Sequence, residues 1–452
     1  MGTRADRSRV GDGLSRLEMS ESTAWFMEPM LGWSLRKQLR TVLLFAAVVF
    51  PVAAWLGLRI GEIFIQPDAE HYLAMADGRP VMMPFASRQL GPLIAHVMSW
   101  GLHLGTAQAF EVQGVLALLF FIVAIAWLLV RSGAPRWTLY LIGGLMFWGF
   151  QFNALVMPDL LYAALLCCFL LLLHQKHTMA ARLMMFPLML SRESTLLTLV
   201  CFLVAGLRRL KLREMAVALV SAGVAMAIVK RLTLDALPNS ERISPMLYLV
   251  AKMPWNFLRN VLGIGMWANL YPSCAEPKWQ LALHLGPLRA IGFCGFFPGT
   301  VAKTFGLGMA TFGLLPVLVW RVRRLALRTG RHEDMMLRFA ALYGALSFLL
   351  APSLGDSVLR LFGYGWPLFL VALPLLLGAS GADFTSTWAA AAFLALHLFL
   401  AWYLLGLMPG SLFTTALAFW ILGWLLLRWT FLVETPHPTG CGGVIGLSDE
   451  AS

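Results

Sequence analysis

The chain has 452 residues, of which 59% are hydrophobic and 13% are charged. Ordinary soluble domains carry about a quarter charged residues, so this composition excludes a protein that has water as its main solvent. The formal net charge is +12, but the lysine and arginine residues gather at the ends of apolar runs. This distribution excludes a nucleic-acid-binding face and indicates membrane topology instead.

Apolar runs of roughly 17 to 22 residues follow a basic leader, 1–40, that fits neither a secretory signal peptide nor a myristoylation motif. Each run can cross a hydrocarbon core of about 30 Å as a helix, which satisfies its own backbone hydrogen bonds in lipid. We therefore predict an all-α fold, a polytopic transmembrane bundle of about 10–12 spans with interfacial helices in its external loops. A single transmembrane domain, 41–430, separates the cytoplasmic leader from a cytoplasmic tail, 431–452.

The first predicted span, 41–58, leads outward from the basic leader to an external loop, 59–112, in which carboxylates are concentrated. Its end, 91–105, is apolar but short and interrupted by glycine and histidine, so we predict an interfacial helix there. With that choice the basic loops that follow fall on the cytoplasmic side. The next predicted spans are 113–130, 137–154 and 156–173.

The segment 183–206 is unusual because both of its flanks are basic and the run Ser191-Arg192-Glu193-Ser194 interrupts its middle. We predict two short helices, since broken helices at membrane depth occur where they line a cavity or are buried in protein. A span at 214–231 leads to a second external segment, 232–300, in which we expect interfacial helices. The remaining predicted spans are 302–320, 338–352, 361–378, 387–406 and 411–428.

The six cysteines show neither a CxxC pair nor a His/Cys spacing suited to zinc, so we expect no metal–thiolate site. Cys274 and Cys294 lie in the second external segment. They are either a disulfide, which an external compartment permits, or two unpaired thiols.

Charged groups within or at the edge of membrane spans cost about 2.5 to 3.5 kcal/mol each at a helix centre, so they are candidates for function. The candidate site residues are Asp68, Glu70, Arg88, Asp159, Arg192, Glu193, Asp356 and Arg360. An alternative interpretation is that Arg192 with Glu193, and Asp356 with Arg360, are ion pairs that only neutralise buried charge.

Asp68-Ala69-Glu70 places two carboxylates one residue apart. In an extended or turn segment such side chains can share a divalent cation, Mg²⁺ or Mn²⁺, or divide the roles of acid and base. The alternative is a solvated loop that merely avoids the bilayer. We interpret His71, His96 and His103 as polar interface residues rather than metal ligands.

The stretch QPDAEHYLAMADGRPVMMPFASRQLGPLIAH resembles the first external loop of bacterial membrane glycosyltransferases of the C-type superfamily, which carries an acidic motif near the catalytic base. Similar bacterial membrane proteins show a PF-x-x-R-x-L-x-P signature, which stands here at 84–92. Met157-Pro158-Asp159, the run at 191–194 and Gly355-Asp356-Ser357-Val358-Leu359-Arg360 resemble the second acidic site and the later charged turns of such proteins. The resemblance covers roughly residues 40 to 380 and is to the smaller, single-domain members.

This resemblance implies transfer of a hexosyl or pentosyl group from a polyprenyl-phosphate-linked donor to an acceptor on the outer face of the membrane. The composition, rich in Ala, Leu, Gly and Arg, suggests that this is a bacterial inner membrane. Asp68 would be the base, and cations such as Arg88, Arg192 or Arg360 would stabilise the departing lipid phosphate. Glu70 or Asp159 would hold a metal ion or the sugar hydroxyls. Three tryptophans of the second external segment would be candidates for stacking on sugars, namely Trp255, Trp267 and Trp279.

Two other functions remain open from the sequence. The first is a transporter or flippase for a lipid-linked or anionic substrate, and the second is an outer-face polysaccharide polymerase or ligase. The carboxylates cluster on one face of the membrane, whereas a transport pathway would spread them through its depth, so we favour the transferase. All these readings require membrane lipids as partners and none requires nucleic acid.

Overall fold

The structure is a computed structural model. It describes residues 30–379 except 64–66, 84, 135, 137, 140–156, 208–209, 238–244, 270–273, 286–287, 314, 317–318, 320–333 and 356, together with six positions between 414 and 425. Several predicted segments lie wholly or mostly outside the described residues: the leader, the tail and the spans 137–154, 387–406 and 411–428.

Helices occupy most of the described chain, because the long apolar runs satisfy their backbone groups locally. In chain order they are α1 (Leu35–Ile63), α2 (Pro67–Ala76), α3 (Leu90–Leu102), α4 (Thr106–Arg131), α5 (Pro158–His174), α6 (Thr178–Leu183), α7 (Met185–Ser191), α8 (Thr195–Gly206), α9 (Leu212–Leu232), α10 (Pro245–Val261), α11 (Pro298–Thr311), α12 (Met335–Leu354), α13 (Val358–Gly363) and α14 (Leu373–Ala379). A π-helical turn, Pro367–Ala372, precedes α14. The predicted all-α bundle is confirmed.

Five described helical segments are long and apolar enough to cross a membrane. They are Leu35–Trp55, Thr106–Arg131, Leu212–Leu232, Met335–Leu354 and Val358–Leu376. Shorter apolar helices stand beside them, including α5, which coincides with the predicted span 156–173. These helices make the chain a membrane protein by length and composition.

The core of the bundle forms around α4, which packs against α1 and α5. Phe121 of α4 is fully buried and meets the ring of Trp366 edge to face, with ring centroids 4.8 Å apart. The outer face of α1 is apolar but exposed, with Leu44 and Val48 among its uncovered side chains. Apolar side chains that face away from the bundle are suited to contact with lipid tails.

The bundle has two distinguishable ends. At one end, the Arg131 side chain at the close of α4 donates to Gln38 near the start of α1, and Ser132 lies 3.4 Å from His174 at the close of α5. At the other end, Thr106 at the start of α4 donates to Asp77, which follows α2. We call this second end the loop end, because it carries α2, α3 and the first residues of α4 and α5.

The segment 183–206 is broken as predicted. Helix α7 ends at Ser191, Arg192 is extended with φ −163° and ψ 142°, and α8 begins at Thr195. The extended residue ends the regular hydrogen-bond pattern, so the charged side chains of Arg192 and Glu193 project from a gap between two short helices. The prediction of two short helices is confirmed.

The second external segment differs from its prediction. Helix α10 is followed by three antiparallel strands, β1 (Ile264–Ala268), β2 (Trp279–Leu285) and β3 (Leu288–Phe296), in the order β1-β3-β2. The expectation of helices alone is therefore wrong for 264–296. The close approach of β2 and β3 requires glycine at position 292, because a Cβ there would lie 2.6 Å from the carbonyl oxygen of Trp279 on the neighbouring strand.

The structure decides between the two interpretations of Cys274 and Cys294. Cys274 and Cys294 form a disulfide whose Cα atoms are 5.9 Å apart and which closes a loop with a sequence separation of 20. It ties the chain before β2 to β3. We call α10, the three strands and this disulfide the external module, after the predicted second external segment in which they lie.

Replacing both Cys274 and Cys294 by serine is expected to lower the free energy of opening of the external module by about 3 kcal/mol, from the chain entropy of a loop of this length. Amide hydrogen exchange of β2 and β3 in nanodiscs measures this change, and exchange in α4 serves as the internal control. Labelling of both thiols by a maleimide in the unreduced wild type would contradict the pairing.

Candidate functional site

The first candidate carboxylates lie in the first turn of α2. Pro67 begins this helix, and Asp68 and Glu70 follow it. This order suits a helix N-terminus, because the first helical position needs no backbone N–H, which proline lacks, and because acids complement the helix dipole. The Asp68 side chain keeps 28% of its surface exposed. Glu70 is exposed and makes no hydrogen bond or ion pair within the described part of the chain.

This helical setting bears on the suggested metal site. Side chains two residues apart on a helix do not face each other, so Asp68 and Glu70 do not form the shared carboxylate pair that an extended segment would allow. Among the described residues, no group of three or more His, Cys, Asp and Glu is placed to hold a metal ion. The donor set therefore does not fit Mg²⁺ or Mn²⁺ at these two residues.

Arg88 is held by Glu193 from the gap between α7 and α8. Its Nε donates to Oε2 at 2.9 Å and its Nη2 donates to Oε1 at 2.5 Å, so the contact is a two-pronged fork. The third nitrogen, Nη1, donates to the hydroxyl of Tyr72 on α2. Arg88 is buried, and its guanidinium is thereby fixed in one orientation.

Asp159 is the most deeply buried charge of the site. It lies in the first turn of α5 and has no exposed surface. Its Oδ1 accepts hydrogen bonds from Nη1 of Arg192 and from the hydroxyl of Tyr364, and Nε of Arg360 lies 4.0 Å away. The positive end of the α5 dipole and two guanidinium groups together stabilise the buried carboxylate.

Arg360 of α13 connects this buried carboxylate to the exposed one. Both of its terminal nitrogens donate to Oδ2 of Asp68 at 3.3 Å, while its Nε faces Asp159. The Arg88–Glu193 pair is joined to the Arg192–Asp159 pair because Arg192 and Glu193 are adjacent residues in the gap between α7 and α8.

Six of the eight predicted site residues thus meet at the loop end. We call them the charge cluster: Asp68, Arg88, Asp159, Arg192, Glu193 and Arg360. Three carboxylates balance three guanidinium groups, which keeps the net charge of this largely buried cluster at zero. Glu70 stands beside it on α2 without joining it, and Asp356 lies outside the described residues.

Several buried polar atoms around the cluster have no hydrogen-bond partner among the described residues. They are Oδ2 of Asp159, Nε of Arg192 and Arg360, and the hydroxyls of Ser191, Ser194 and Thr195. Buried polar groups are normally satisfied, and leaving one unpaired costs about 1 to 3 kcal/mol. The gap between α7 and α8 therefore has capacity to bind further polar groups.

The structure replaces one of the two ion pairs that sequence neighbours suggested, and the other, Asp356 with Arg360, includes a residue outside the described part of the chain. Arg192 pairs with Asp159 and Glu193 pairs with Arg88, so the adjacent Arg192–Glu193 pair is wrong. Arg360 pairs with Asp68 and Asp159 from distant parts of the chain. Adjacent side chains point apart, and tertiary packing brought closer partners to each.

Two tyrosines of the site were not predicted from the sequence. Tyr72 and Tyr364 each stand four residues after a predicted charge, Asp68 and Arg360, and the helical spacing i, i+4 places such side chains on one face. That spacing is the signal that could have identified them. Each hydroxyl contacts a charge of the cluster directly.

The remaining candidates are not members of the charge cluster. His71 stacks on Phe85 with ring centroids 4.3 Å apart, and Nδ1 of His96 lies 2.8 Å from the carbonyl oxygen of Ala76. His103 follows the last residue of α3. The three candidate tryptophans lie in the external module, where Trp255 is in α10, Trp267 is in β1 and Trp279 is in β2.

The arrangement has a clear chemical capacity. A partly exposed carboxylate, which can accept a proton, lies beside guanidinium groups, which bind phosphate oxygens through charge-assisted hydrogen bonds. Proton transfer and anion stabilisation can therefore occur within one site.

No family model matches this chain, and comparisons with curated proteins and with solved structures found no similar protein.

Proposed function

We propose that this chain is a membrane glycosyltransferase, similar to the small members of the C-type superfamily. It moves a hexosyl or pentosyl group from a polyprenyl-phosphate-linked donor to an acceptor at the outer face of the membrane. The observation that carries the proposal is the charge cluster, in which side chains from five separate parts of the chain meet at one end of the bundle.

The energetic cost of the cluster supports a functional origin. Pairing ions in a low-dielectric interior rarely gains more stability than well-packed apolar side chains would provide. Charged residues placed in a membrane domain are therefore functional candidates by default. The buried donors of Arg192 and Arg360 that have no partner among the described residues strengthen this argument, because an anionic ligand would satisfy them.

The geometry favours Asp68 as the catalytic base over the other two carboxylates. Both oxygens of Glu193 accept hydrogen bonds from Arg88, and Asp159 has no exposed surface. Asp68 is partly exposed, and within the described chain Arg360 bonds to its Oδ2 alone. Its second oxygen can therefore approach an acceptor hydroxyl.

In the proposed reaction, Asp68 takes the proton of the acceptor hydroxyl while the acceptor oxygen bonds to the anomeric carbon of the sugar. The bond between that carbon and the phosphate oxygen breaks, and its electron pair leaves with the polyprenyl phosphate. Arg360 and Arg192 stabilise the departing phosphate, since arginine binds such groups through paired hydrogen bonds. Arg88, held by Glu193, adds positive charge to the same region.

We infer that the loop end faces the outer side of a bacterial inner membrane and that both termini are cytoplasmic. The disulfide supports this orientation, because disulfides persist in oxidising compartments. Basic residues at the other end, such as Arg36, Arg40 and Arg131, suit the cytoplasmic side. The helical segments α2 and α3 of the first external loop then lie beside the outer leaflet.

The proposal is tested with purified protein in nanodiscs and a panel of radiolabelled polyprenyl-phosphate hexoses and pentoses, assayed with membrane extracts as the source of acceptor. Wild type is expected to transfer label from at least one donor, and Arg360→Gln to transfer at least about 100-fold less, because it loses the charge that faces the leaving phosphate. Glu70→Gln is the matched control, because Glu70 lies outside the cluster.

A second function, that of a flippase, is favoured by one observation. The hydroxyl of Tyr162 lies 2.6 Å from that of Thr198 and 3.2 Å from that of Tyr343, which forms a fully buried polar seam between α5, α8 and α12. Polar groups at depth are a feature of transport pathways. Movement of the lipid-linked sugar across the membrane of vesicles, with the glycosyl bond intact for every donor, would support a flippase and contradict the transferase.

A further inference from the structure

The carboxyl end of α12 is hydrogen-bonded to side chains of α10. The last carbonyl groups of any helix have no partner within it, and a buried helix end needs donors from elsewhere. Here the donors are two asparagines of α10. Nδ2 of Asn260 donates to the carbonyl oxygens of Pro352 at 2.8 Å and Gly355 at 3.4 Å, and Nδ2 of Asn256 donates to that of Ser353 at 3.4 Å.

Both asparagines are almost fully buried, at 3% exposed for Asn256 and 4% for Asn260. Side-chain amides in such a position are expensive unless they are hydrogen-bonded, and an apolar side chain would not carry that cost. The three residues whose carbonyls they bind, Pro352, Ser353 and Gly355, end the long helix and begin the turn that leads to α13. We call these two side chains the amide latch.

The turn that the latch holds leads directly to Arg360. Helix α13 begins at Val358, and its buried Val358 and Phe362 pack with Ala351 of α12. The guanidinium of Arg360 must reach Asp68 at 3.3 Å and Asp159 at 4.0 Å from this short helix. Displacement of the turn by about 1 Å would therefore disturb both contacts, and errors of this size in a catalytic group cost about 100-fold in rate.

The latch also joins the charge cluster to the external module. Helix α10 packs against β1 as well as α12, and the amide of Phe297 after β3 donates to the carbonyl of Gly263 before β1 at 2.6 Å. The disulfide ties β3 to the segment before β2. Through α10, the position of the external module is thus mechanically connected to the turn that precedes Arg360.

We propose that Asn256 and Asn260 are positioning residues that set Arg360 for the reaction and couple the external module to the charge cluster. This inference rests on the proposed function, because it assigns the latch a role in the step that Arg360 assists. Neither asparagine touches the cluster in the contacts described above, so their effect passes through Arg360.

The test compares Asn260→Leu with Asn269→Leu. Leucine has the same number and branching of side-chain heavy atoms as asparagine but donates no hydrogen bond. Asn269 is an exposed asparagine of the same module whose side chain accepts from the backbone of Arg289 and Ala290. With nanodisc-embedded protein, Asn260→Leu is expected to lower kcat about 10-fold and to change KM for the donor less than twofold. Asn269→Leu should match wild type.

A double-mutant cycle separates positioning from general destabilisation. If the latch acts through Arg360, Asn260→Leu should have little further effect on kcat in an Arg360→Lys background, because coupled residues are not additive. Additive effects of the two substitutions would overturn the inference. The single mutants also need equal yields of folded protein, which size-exclusion chromatography in detergent measures.

Amide hydrogen exchange of residues 352–364 provides a readout that needs no activity. Asn260→Leu should increase exchange there while leaving α8 unchanged, and unchanged exchange at 352–364 would overturn the inference. If wild type transfers sugar from no donor, the proposed function fails, yet the exchange result still decides whether the latch holds this turn.

Discussion

Asp68→Asn is expected to reduce the rate of sugar transfer at least about 100-fold while the protein remains folded, since general-base catalysis contributes about 10² to 10⁴ to the rate. Asparagine keeps an oxygen that can accept the hydrogen bonds from Arg360, but it cannot take the proton of the acceptor hydroxyl. The contact between α2 and α13 should therefore survive, and the loss should appear in kcat.

The measurement is transfer from a radiolabelled polyprenyl-phosphate sugar at matched amounts of folded protein. Asp77→Asn is the control carboxylate, because Asp77 lies exposed at the end of α2 and away from the cluster. Hydrogen bonds from Thr106 and then Arg79 lower the pKa of the Asp77 carboxyl, so this control also removes an ionised group at neutral pH. Transfer by Asp68→Asn at the wild-type rate would show that the base is another residue.

Asp159→Asn is expected to have the largest effect on stability, about 3 to 5 kcal/mol of destabilisation. Among the described residues, the substitution removes the carboxylate that forms an ion pair with Arg192 and leaves Asp68 as the carboxylate paired with Arg360. Arg192 is buried and then lacks a counter-charge at hydrogen-bond distance, which is the costly half of a broken ion pair.

Thermal unfolding in detergent, followed by the fluorescence of a thiol-reactive dye at the buried cysteines, measures this effect. Asp77→Asn provides the comparison, since loss of an exposed ion pair changes stability by less than about 1 kcal/mol. Equal unfolding temperatures for the two variants would mean that the Arg192–Asp159 pair does not stabilise the bundle.

Much of the candidate site could be predicted from the sequence, for a reason specific to membranes. A charge inside an apolar run is rare because it is costly, so Asp159, Arg192 and Arg360 stand out without any alignment. The break at Arg192 was also visible, because polar residues interrupt an otherwise continuous apolar segment. The same cost does not apply to residues outside the apolar runs, so the sequence predicted their structure less well.

The local structure around Asp68 illustrates that limit. Pro67 followed by two acids is typical of a helix N-terminus, yet the D-x-E spacing also suggested an extended pair of metal ligands. The helix separates the two carboxylates and assigns them different environments. The strands of the external module were missed for a similar reason, since short apolar runs with glycine do not distinguish strand from interfacial helix.

By itself, the sequence determined that this is a helical membrane protein, and it identified the charged residues that are costly to bury. Both follow from residue type and from position along one helix, which set the hydrophobicity and the energetic cost of burying a charge. Only the tertiary structure decided which charges pair, which tyrosines join them and how Asn256 and Asn260 hold the turn before Arg360. Those contacts join residues as many as 292 positions apart, and the packing of separate helices, rather than local sequence, sets such distances.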